Sequence, residues 1–122
     1  MTAHFPIIAL PNVVDARGNL TILDRALPFD VVRAFWIMSA DGQTRGGHRH
    51  RQTRQALIAM AGWVDIFMDD STHQEVIRLR EPNQCLLVEP KDWHTMTFGP
   101  SSILLVLASR HYDRDDYIDA RY

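Results

Sequence analysis

Short runs of alternating apolar and polar residues recur along the chain, separated by turn residues. A period of two residues is that of a β-strand, whose successive side chains point to opposite faces. No stretch sustains the period of an α-helix, and helix is expected only in the tail. The runs predicted as strands are Ile7 to Leu10, Leu20 to Leu23, Val31 to Met38, the stretch around His48, Gln55 to Ala61, Trp63 to Met68, Glu75 to Arg80, Cys85 to Val88, Trp93 to Phe98 and Ile103 to Leu107.

About nine or ten short strands at close spacing indicate an all-β protein, built as a double-sheet jelly roll or a barrel. The run Gln55 to Ala61 alternates large and small side chains, which suits the tapering interior of such a fold. Ile103 to Leu107 is apolar enough to be covered on both faces. We predict one domain over residues 1–122, with a polar tail from about 110 to 122 that serves as a cap or an interface arm.

The composition narrows the class of protein. Hydrophobic residues make up 46% and charged residues 23%, which is ordinary for a globular chain. A formal net charge of −2 gives no strong field to attract nucleic acid or an anionic membrane. The single cysteine, Cys85, lies in an apolar run and is predicted to be a buried thiol. With no signal-peptide pattern and no apolar run of membrane-spanning length, we expect a cytoplasmic protein.

The candidate chemistry lies between Gly42 and His50. His48 and His50 are two residues apart, so on a strand their imidazoles point to the same face. Arg45 precedes them, and Gln55 follows at the start of an apolar run. An unperturbed histidine pKa of about 6.5 suits groups that take up and release protons near neutral pH.

The order of these residues resembles the first sequence motif of the cupin superfamily. Gly42 is followed by the His-x-His pair, then by a fourth polar position, then by Gly62. In most cupins the fourth position is a glutamate that completes a metal site, whereas this chain has Gln55. The resemblance implies a cupin-type double-sheet jelly roll with imidazoles in the barrel mouth and without that carboxylate.

A longer resemblance covers nearly the whole chain in the same order. The segments similar to the sugar 3,4-ketoisomerases are Asp15 to Leu20, Pro28 to Arg33, Arg45 to His50, Trp93 to Phe98 and Leu105 to Ile118. The last segment is the most specific, because its Tyr-Asp-x-x-Asp-Tyr-Ile block is not a general cupin feature. The resemblance implies an isomerase that converts dTDP-4-keto-6-deoxyglucose into its 3-keto isomer for bacterial surface polysaccharides. It also implies a homodimer that exchanges or packs N-terminal strands, and chemistry without a metal or other cofactor.

A 3,4-ketoisomerisation removes the proton at C3, passes through an enediol and returns a proton to C4. This requires a base near neutral pKa and a proton shuttle between the two oxygens. We predict His48 and His50 as base and shuttle, in either order. Arg45 either stabilises the developing enolate oxygen or binds a diphosphate oxygen. The predicted substrate-binding residues are Arg45, Trp36, Phe35, Gln55, Arg54, Arg51, His94 and Trp93.

Two positions depart from the family pattern. Arg49 stands where the family usually has alanine, and Phe35-Trp36 stands where the family commonly has a tyrosine that positions the sugar or moves a proton. That proton role passes to the second histidine, a bound water, Thr95 or Thr97, or a tail tyrosine. The tail tyrosines, otherwise expected to pack, are Tyr112, Tyr117 and Tyr122.

Two other functions fit the same residues. A metal-dependent cupin, such as a dioxygenase or a small isomerase, would use His48, His50 and His94 as ligands. The neutral amide of Gln55 disfavours this, because an amide oxygen binds a divalent ion more weakly than a carboxylate. The other alternative is a non-catalytic cupin that binds a sugar without turnover.

Overall fold

Two five-stranded antiparallel sheets face each other in the computed structural model, which describes residues 4–122. In order across the first sheet, the strands are β1 (Ile7–Ala9), β9 (Gln84–Val88), β6 (Gln55–Ala61), β11 (Ile103–Ala108) and β4 (Arg33–Met38). Across the second sheet they are β12 (Tyr117–Ile118), β5 (Thr44–His50), β10 (Trp93–Phe98), β7 (Val64–Asp69) and β8 (Gln74–Leu79). A separate hairpin joins β2 (Asn12–Asp15) to β3 (Gly18–Thr21). The predicted all-β, cupin-type jelly roll is confirmed.

The alternation of side chains in β6 divides the apolar residues between two clusters. Leu57 and Ala59 point between the sheets into the main core. Ala56 and Ile58 point outward into a second cluster, which is covered by residues of the 23–29 segment. Because β6 is apolar on both faces, it is buried on both, and the sheet positions its first residue, Gln55, with little freedom.

Strand β11 shows the same two-sided burial, as predicted from its continuous apolar run. Leu104 and Val106 lie in the main core, while Leu107 lies in the outer cluster. Cys85 is buried in that outer cluster, which confirms the prediction of a buried thiol. Burial raises the pKa of the Cys85 thiol to about 11, so the thiol stays protonated at neutral pH.

Two short strands differ from the sequence prediction. The segment Asn12–Asp15 forms β2, which pairs only with β3 and is exposed along its length, so no alternation of burial indicated it. Strand β12 has only two residues and exists because it pairs with β5. A 3-10 helix, Arg114–Asp116, precedes it in the tail, where helix was expected. Residues 4–122 contain no helix long and apolar enough to cross a membrane.

Candidate active site

A cavity of about 180 Å³ lies between the two sheets and is lined by five of the ten predicted site residues. Strands β4, β6 and β11 of the first sheet form one wall, and strands β5, β10 and β12 of the second sheet form the other. The lining residues are Phe35, Ile37, Arg45, Gly46, His48, Gln55, His94, Met96, Val106 and Tyr117. The cavity is therefore apolar at Phe35, Ile37, Met96 and Val106, and polar where β5, β6, β10 and β12 meet it.

A bulge in β5 brings Arg45 and His48 to the same face. On β10, His94 pairs with His48, Thr95 with Gly46 and Met96 with Arg45, so Gly47 has no partner on that strand. Residues three apart on a regular strand point to opposite faces, and one extra residue reverses this. The bulge therefore lets the guanidinium of Arg45 and the imidazole of His48 line one cavity.

Gly46 is required for this bulge on two grounds. Its φ of +89° lies in the left-handed region, which side chains other than glycine rarely adopt. A Cβ atom at this position would lie 2.9 Å from the backbone carbonyl oxygen of His94. The close approach of the β5 and β10 backbones at Gly46 is what places His48 directly across from His94.

His48 lines the cavity close to the two other histidines of the site. Its ring centroid lies 5.1 Å from that of His50 and 5.2 Å from that of His94. Burial lowers the pKa of His48 below its usual 6.5, and the nearby charge of Asp119 partly opposes this. At neutral pH the imidazole of His48 is therefore mainly unprotonated, as a general base must be.

His50 lies deeper than His48 and does not line the cavity. It is fully buried, and neither of its ring nitrogens has a hydrogen-bond partner among the described residues. Burial lowers the pKa of His50 to about 4, helped by His48 and Arg33 and opposed by Asp116. His50 is thus a neutral imidazole behind His48, with both ring nitrogens available to an internal water or to a proton exchange with its neighbour.

His94 has a fixed tautomer. Its Nδ1 lies 3.1 Å from the backbone carbonyl oxygen of Asp92, and since a carbonyl only accepts, Nδ1 carries the proton. The other ring nitrogen, Nε2, is then an acceptor. Burial lowers the pKa of His94 to about 3, so this ring remains neutral at working pH. His94 can accept a hydrogen bond from a ligand hydroxyl, but it cannot act as a base near neutral pH.

The aromatic pair on β4 is divided between two faces. Phe35 lines the cavity, whereas Trp36 points to the opposite face and is 64% exposed. This follows from the alternation of β4, in which Arg33, Phe35 and Ile37 are the more buried positions. Of the two predicted substrate-binding aromatic residues, Phe35 therefore lies in this cavity and Trp36 lies outside it.

Three other predicted substrate-binding residues also lie outside the cavity, because each is held elsewhere. Arg54 forms a two-pronged ion pair with Glu89, with both N–O distances at 2.8 Å. Arg51 donates to the carbonyl oxygen of Asp115 at 3.2 Å. Trp93 points to the face of β10 opposite His94.

The cavity is lined by four of the predicted substrate-binding residues, namely Phe35, Arg45, Gln55 and His94. Gln55 is buried, at the position where most cupins carry a carboxylate. Among residues 4–122, no three His, Cys, Asp or Glu side chains converge closely enough to hold a metal ion.

Tyr117, one of the three tail tyrosines expected either to pack or to take over the proton role, lines the cavity. Its ring centroid lies 4.6 Å from that of His48 and 4.7 Å from that of His50. It reaches this position because β12 pairs with the end of β5, with Tyr117 directly opposite His50. The signal in the sequence was the family-specific block Tyr112 to Ile118, but only the strand pairing shows where its second tyrosine lies.

Asp116 fixes the segment that carries Tyr117. Its buried carboxylate accepts from the backbone N–H of Gln52 at 2.8 Å and from the backbone N–H and hydroxyl of Thr53. Burial acts to raise the pKa of Asp116, but the bonds from Thr53 and Gln52 outweigh it and hold the pKa below its usual value. The carboxylate is therefore ionised at neutral pH and ties the tail to the loop after β5.

The rest of the tail is bound along the second sheet. Arg49 donates to the carbonyl oxygen of Ala120 at 2.9 Å, and the indole N–H of Trp93 donates to that of Asp119 at 3.2 Å. Arg121 pairs with Asp69 at 2.6 Å. Arg49, which replaces the usual alanine of the His-x-His motif, thus holds the tail against the sheet. The tail was expected to be either a cap or an interface arm, and within this chain it caps the second sheet.

A double-sheet jelly roll with histidines around a cavity between its sheets defines a cupin-type protein. The family model described as "FdtA: WxcM-like, C-terminal" matches residues 3–122. The TDP-4-oxo-6-deoxy-alpha-D-glucose-3,4-oxoisomerase of Aneurinibacillus thermoaerophilus is 33% identical over 116 residues, which cover 92% of this chain and 84% of that protein. The chain belongs to the FdtA family, and it is an isomerase of the sugar 3,4-ketoisomerase type.

Solved structures agree with this family. A variant of the 3,4-ketoisomerase QdtA from Thermoanaerobacterium thermosaccharolyticum, in complex with TDP-4-keto-6-deoxyglucose, is 33% identical with a TM-score of 0.92, covering 98% of this chain and 90% of that one. The TDP-quinovose 3,4-ketoisomerase WlaRB of Campylobacter jejuni is 34% identical with a TM-score of 0.90, covering 98% and 95%. These similarities extend over nearly the full length of each chain, so they include every strand of the cavity.

Proposed function

We propose that this chain converts TDP-4-keto-6-deoxyglucose into its 3-keto isomer, with His48 as the base. The observation that carries the proposal is the position of His48: it lines the cavity, and burial keeps it unprotonated at neutral pH. The relatives that act on or bind this class of TDP-sugar support the choice of substrate.

In the first step, the imidazole of His48 takes the proton from C3, next to the C4 ketone. The electron pair of the C3–H bond forms the C3–C4 double bond, and the C4 oxygen takes up a proton to give the enediol. In the second step, the C3 oxygen loses its proton and a proton returns to C4, so that the ketone is now at C3. No oxidant or reductant is consumed, because the two carbons exchange oxidation states.

The other polar residues of the cavity have supporting roles. Arg45 places a permanent positive charge at the cavity wall, where it stabilises an enolate oxygen or binds a diphosphate oxygen. His94 offers Nε2 as an acceptor for a sugar hydroxyl, and Gln55 offers an amide that both donates and accepts. Phe35 provides an aromatic face on which an apolar ring surface can pack.

His50 serves as the second histidine of this mechanism. It is neutral and adjacent to His48, so it can exchange a proton with His48 through a ring nitrogen or an internal water. Its low pKa means that it holds a positive charge only transiently. We therefore assign the base to His48, and to His50 a proton relay with His48 from behind the cavity.

The assignment is tested by His48→Ala, with conversion of TDP-4-keto-6-deoxyglucose followed by ¹H NMR. Loss of a general base should lower kcat on the order of 10²-fold or more. The matched control is His111→Ala, since His111 lies exposed in the tail, outside the cavity lining. Near-normal turnover by His48→Ala, with the control also normal, would show that the base is another group.

We also propose that the protein is a homodimer. On the free edge of the first sheet, β4 exposes 64% of Trp36 and 55% of Met38, and residues 4–122 supply no strand beyond it. The β2–β3 hairpin exposes apolar side chains as well, with Val14 67% exposed. An unpaired strand edge and an apolar hairpin on one chain can cover each other across a two-fold axis.

The dimer is tested by light scattering during gel filtration. The unsubstituted chain should elute with twice its 14.0 kDa mass. Trp36→Lys should shift this toward the monomer, whereas Val76→Lys should not, since Val76 is equally exposed but lies on β8 at the far edge of the other sheet. A monomeric unsubstituted chain at all concentrations would contradict the proposal.

We propose that this enzyme is cytoplasmic and that residues 1–122 form one domain. The single cysteine is buried and unpaired, so the fold does not depend on an oxidising compartment. Both large sheets contribute to one main core, which supports a single cooperative unit.

A further inference from the structure

The cavity has five polar side chains: Arg45, His48, Gln55, His94 and Tyr117. Isomerisation needs one group that moves the proton on carbon and one that moves the proton between the two oxygens. Arginine stays protonated under all working conditions, and a glutamine amide does not act as an acid or a base. The pKa of about 3 at His94 keeps that ring from taking up a proton. His48 and Tyr117 are the cavity-lining side chains that remain.

Tyr117 has the position that such a group needs. Its ring lines the same cavity as His48, and the two ring centroids are 4.6 Å apart. Its backbone is held by pairing with His50, and the preceding residue, Asp116, is held by Gln52 and Thr53. These two restraints already order the backbone that carries Tyr117. The side chain therefore loses little entropy when a substrate binds.

We propose that the hydroxyl of Tyr117 is the acid–base group for the sugar oxygens, an inference that rests on the proposed 3,4-ketoisomerase function. As His48 takes the proton from C3, Tyr117 donates its phenolic proton to the C4 oxygen, and the enediol forms. When the C3 carbonyl forms, the tyrosinate takes the proton of the C3 hydroxyl, while His48 returns a proton to C4. Tyr117 ends the cycle protonated, so protons and electrons balance over the two steps.

The chemistry of a phenol suits this task. A phenolic hydroxyl can donate its proton to an oxygen that gains negative charge. An enolate oxygen is strongly basic at the moment it forms, so the transfer becomes favourable only in the course of the reaction. The positive charge of Arg45 in the same cavity stabilises the tyrosinate between the two transfers.

The test compares Tyr117→Phe with Tyr112→Phe. Removal of the Tyr117 hydroxyl should lower kcat on the order of 10²-fold, with KM and the affinity for TDP essentially unchanged, because the ring still packs against His48. Tyr112 lies 5.7 Å from Tyr117 by ring centroid and is exposed outside the cavity lining, so its variant should keep normal turnover.

Three results are distinguishable. A normal kcat for Tyr117→Phe would overturn the role of Tyr117 while leaving the isomerase function intact. A loss shared equally by kcat and TDP affinity would also overturn it, since the residue would then act in binding or packing. No conversion by the unsubstituted chain would remove the proposed function itself.

A second variant keeps the inference testable if Tyr117→Phe is unstable. Incorporating 3-fluorotyrosine at position 117 keeps the shape of the ring and lowers the pKa of the phenol. The alkaline limb of the kcat profile should move to lower pH, and an unmoved limb would overturn the proposal. The titratable groups around the phenol, namely His48 and His50 on β5 and Tyr112 before the 3-10 helix, are unchanged by this replacement.

Discussion

At the scale of single residues, His48 determines how activity depends on pH. Burial lowers its pKa below 6.5, and the charge of Asp119 partly opposes this. A base works while it is unprotonated, so a lowered pKa keeps the enzyme active at more acidic pH than a free histidine would allow. The acid limb of kcat/KM should therefore have its midpoint below pH 6.5.

Asp119→Asn provides the matched variant for this prediction. Removing the carboxylate removes the interaction that raises the pKa of His48, so the acid limb should move further down in pH. The backbone carbonyl of Asp119, which accepts from Trp93, remains in place. A limb centred at or above pH 6.5, or one that moves upward in Asp119→Asn, would show that another group titrates.

Gln55 leads to a second prediction, which concerns whether activity depends on a metal ion. It is buried in the cavity where a carboxylate ligand would be needed, and its amide oxygen is a weak ligand for a divalent ion. Activity should persist after exhaustive treatment with a chelator, as measured by the same turnover assay. Loss of activity that one added divalent ion restores would instead support the metal-dependent alternative.

At the scale of elements, the bulge of β5 joins the fold to the chemistry. Gly46→Ala places a Cβ 2.9 Å from the carbonyl oxygen of His94 at a φ of +89°, so the strands must separate and His48 must move. We expect a lower melting temperature and a kcat reduced by about 10-fold or more, since small displacements of a catalytic group are costly.

The control for this variant is Gly42→Ala. Gly42 also has a positive φ, +74°, but a Cβ there would meet no atom within 4 Å. Gly42→Ala should therefore lower the free energy of unfolding by only about 1 kcal/mol, through backbone strain, and leave kcat normal. Equal effects of the two substitutions on kcat would mean that the contact with β10 does not position His48.

The strands themselves were predictable from the sequence, and the contents of the cavity only in part. Alternation and turn residues located most strands, because burial on one or both faces leaves that pattern in the chain. Alternation alone could not decide between Phe35 and Trp36, since both are apolar and face opposite sides. Arg54 was assigned to the site because it is near the histidines in sequence, and Trp93 because the family resemblance implied it, but Glu89 and the tail bind them elsewhere.

The position of Tyr117 was harder to predict from the sequence, because it depends on the pairing of β12 with the distant strand β5. A two-residue strand leaves no periodic signal, and its register on β5 is set by the bonds of Asp116 to Gln52 and Thr53. The bulge at Gly46 was equally hard to predict from the sequence. Two adjacent glycines allow a bulge, but only the pairing with β10 shows that one forms.

At the scale of the whole molecule, one main core joins both large sheets, with Leu57 from β6, Ile66 from β7 and Val106 from β11 among its members. A chain with a shared core should unfold in one cooperative step. Circular dichroism and tryptophan fluorescence should therefore give coincident denaturant transitions at a fixed protein concentration. Two separate transitions would contradict a single domain over residues 1–122.

We propose that this chain moves a keto group between C4 and C3 of a TDP-linked sugar. The most direct measurement is ¹H NMR of purified protein, stripped of metal, incubated with TDP-4-keto-6-deoxyglucose. We expect the C3 proton signal of the substrate to decline while the C4 proton of a 3-keto product appears, and His48→Ala to slow this change on the order of 10²-fold or more. A substrate that remains unconverted by protein shown to bind TDP would contradict this isomerase function.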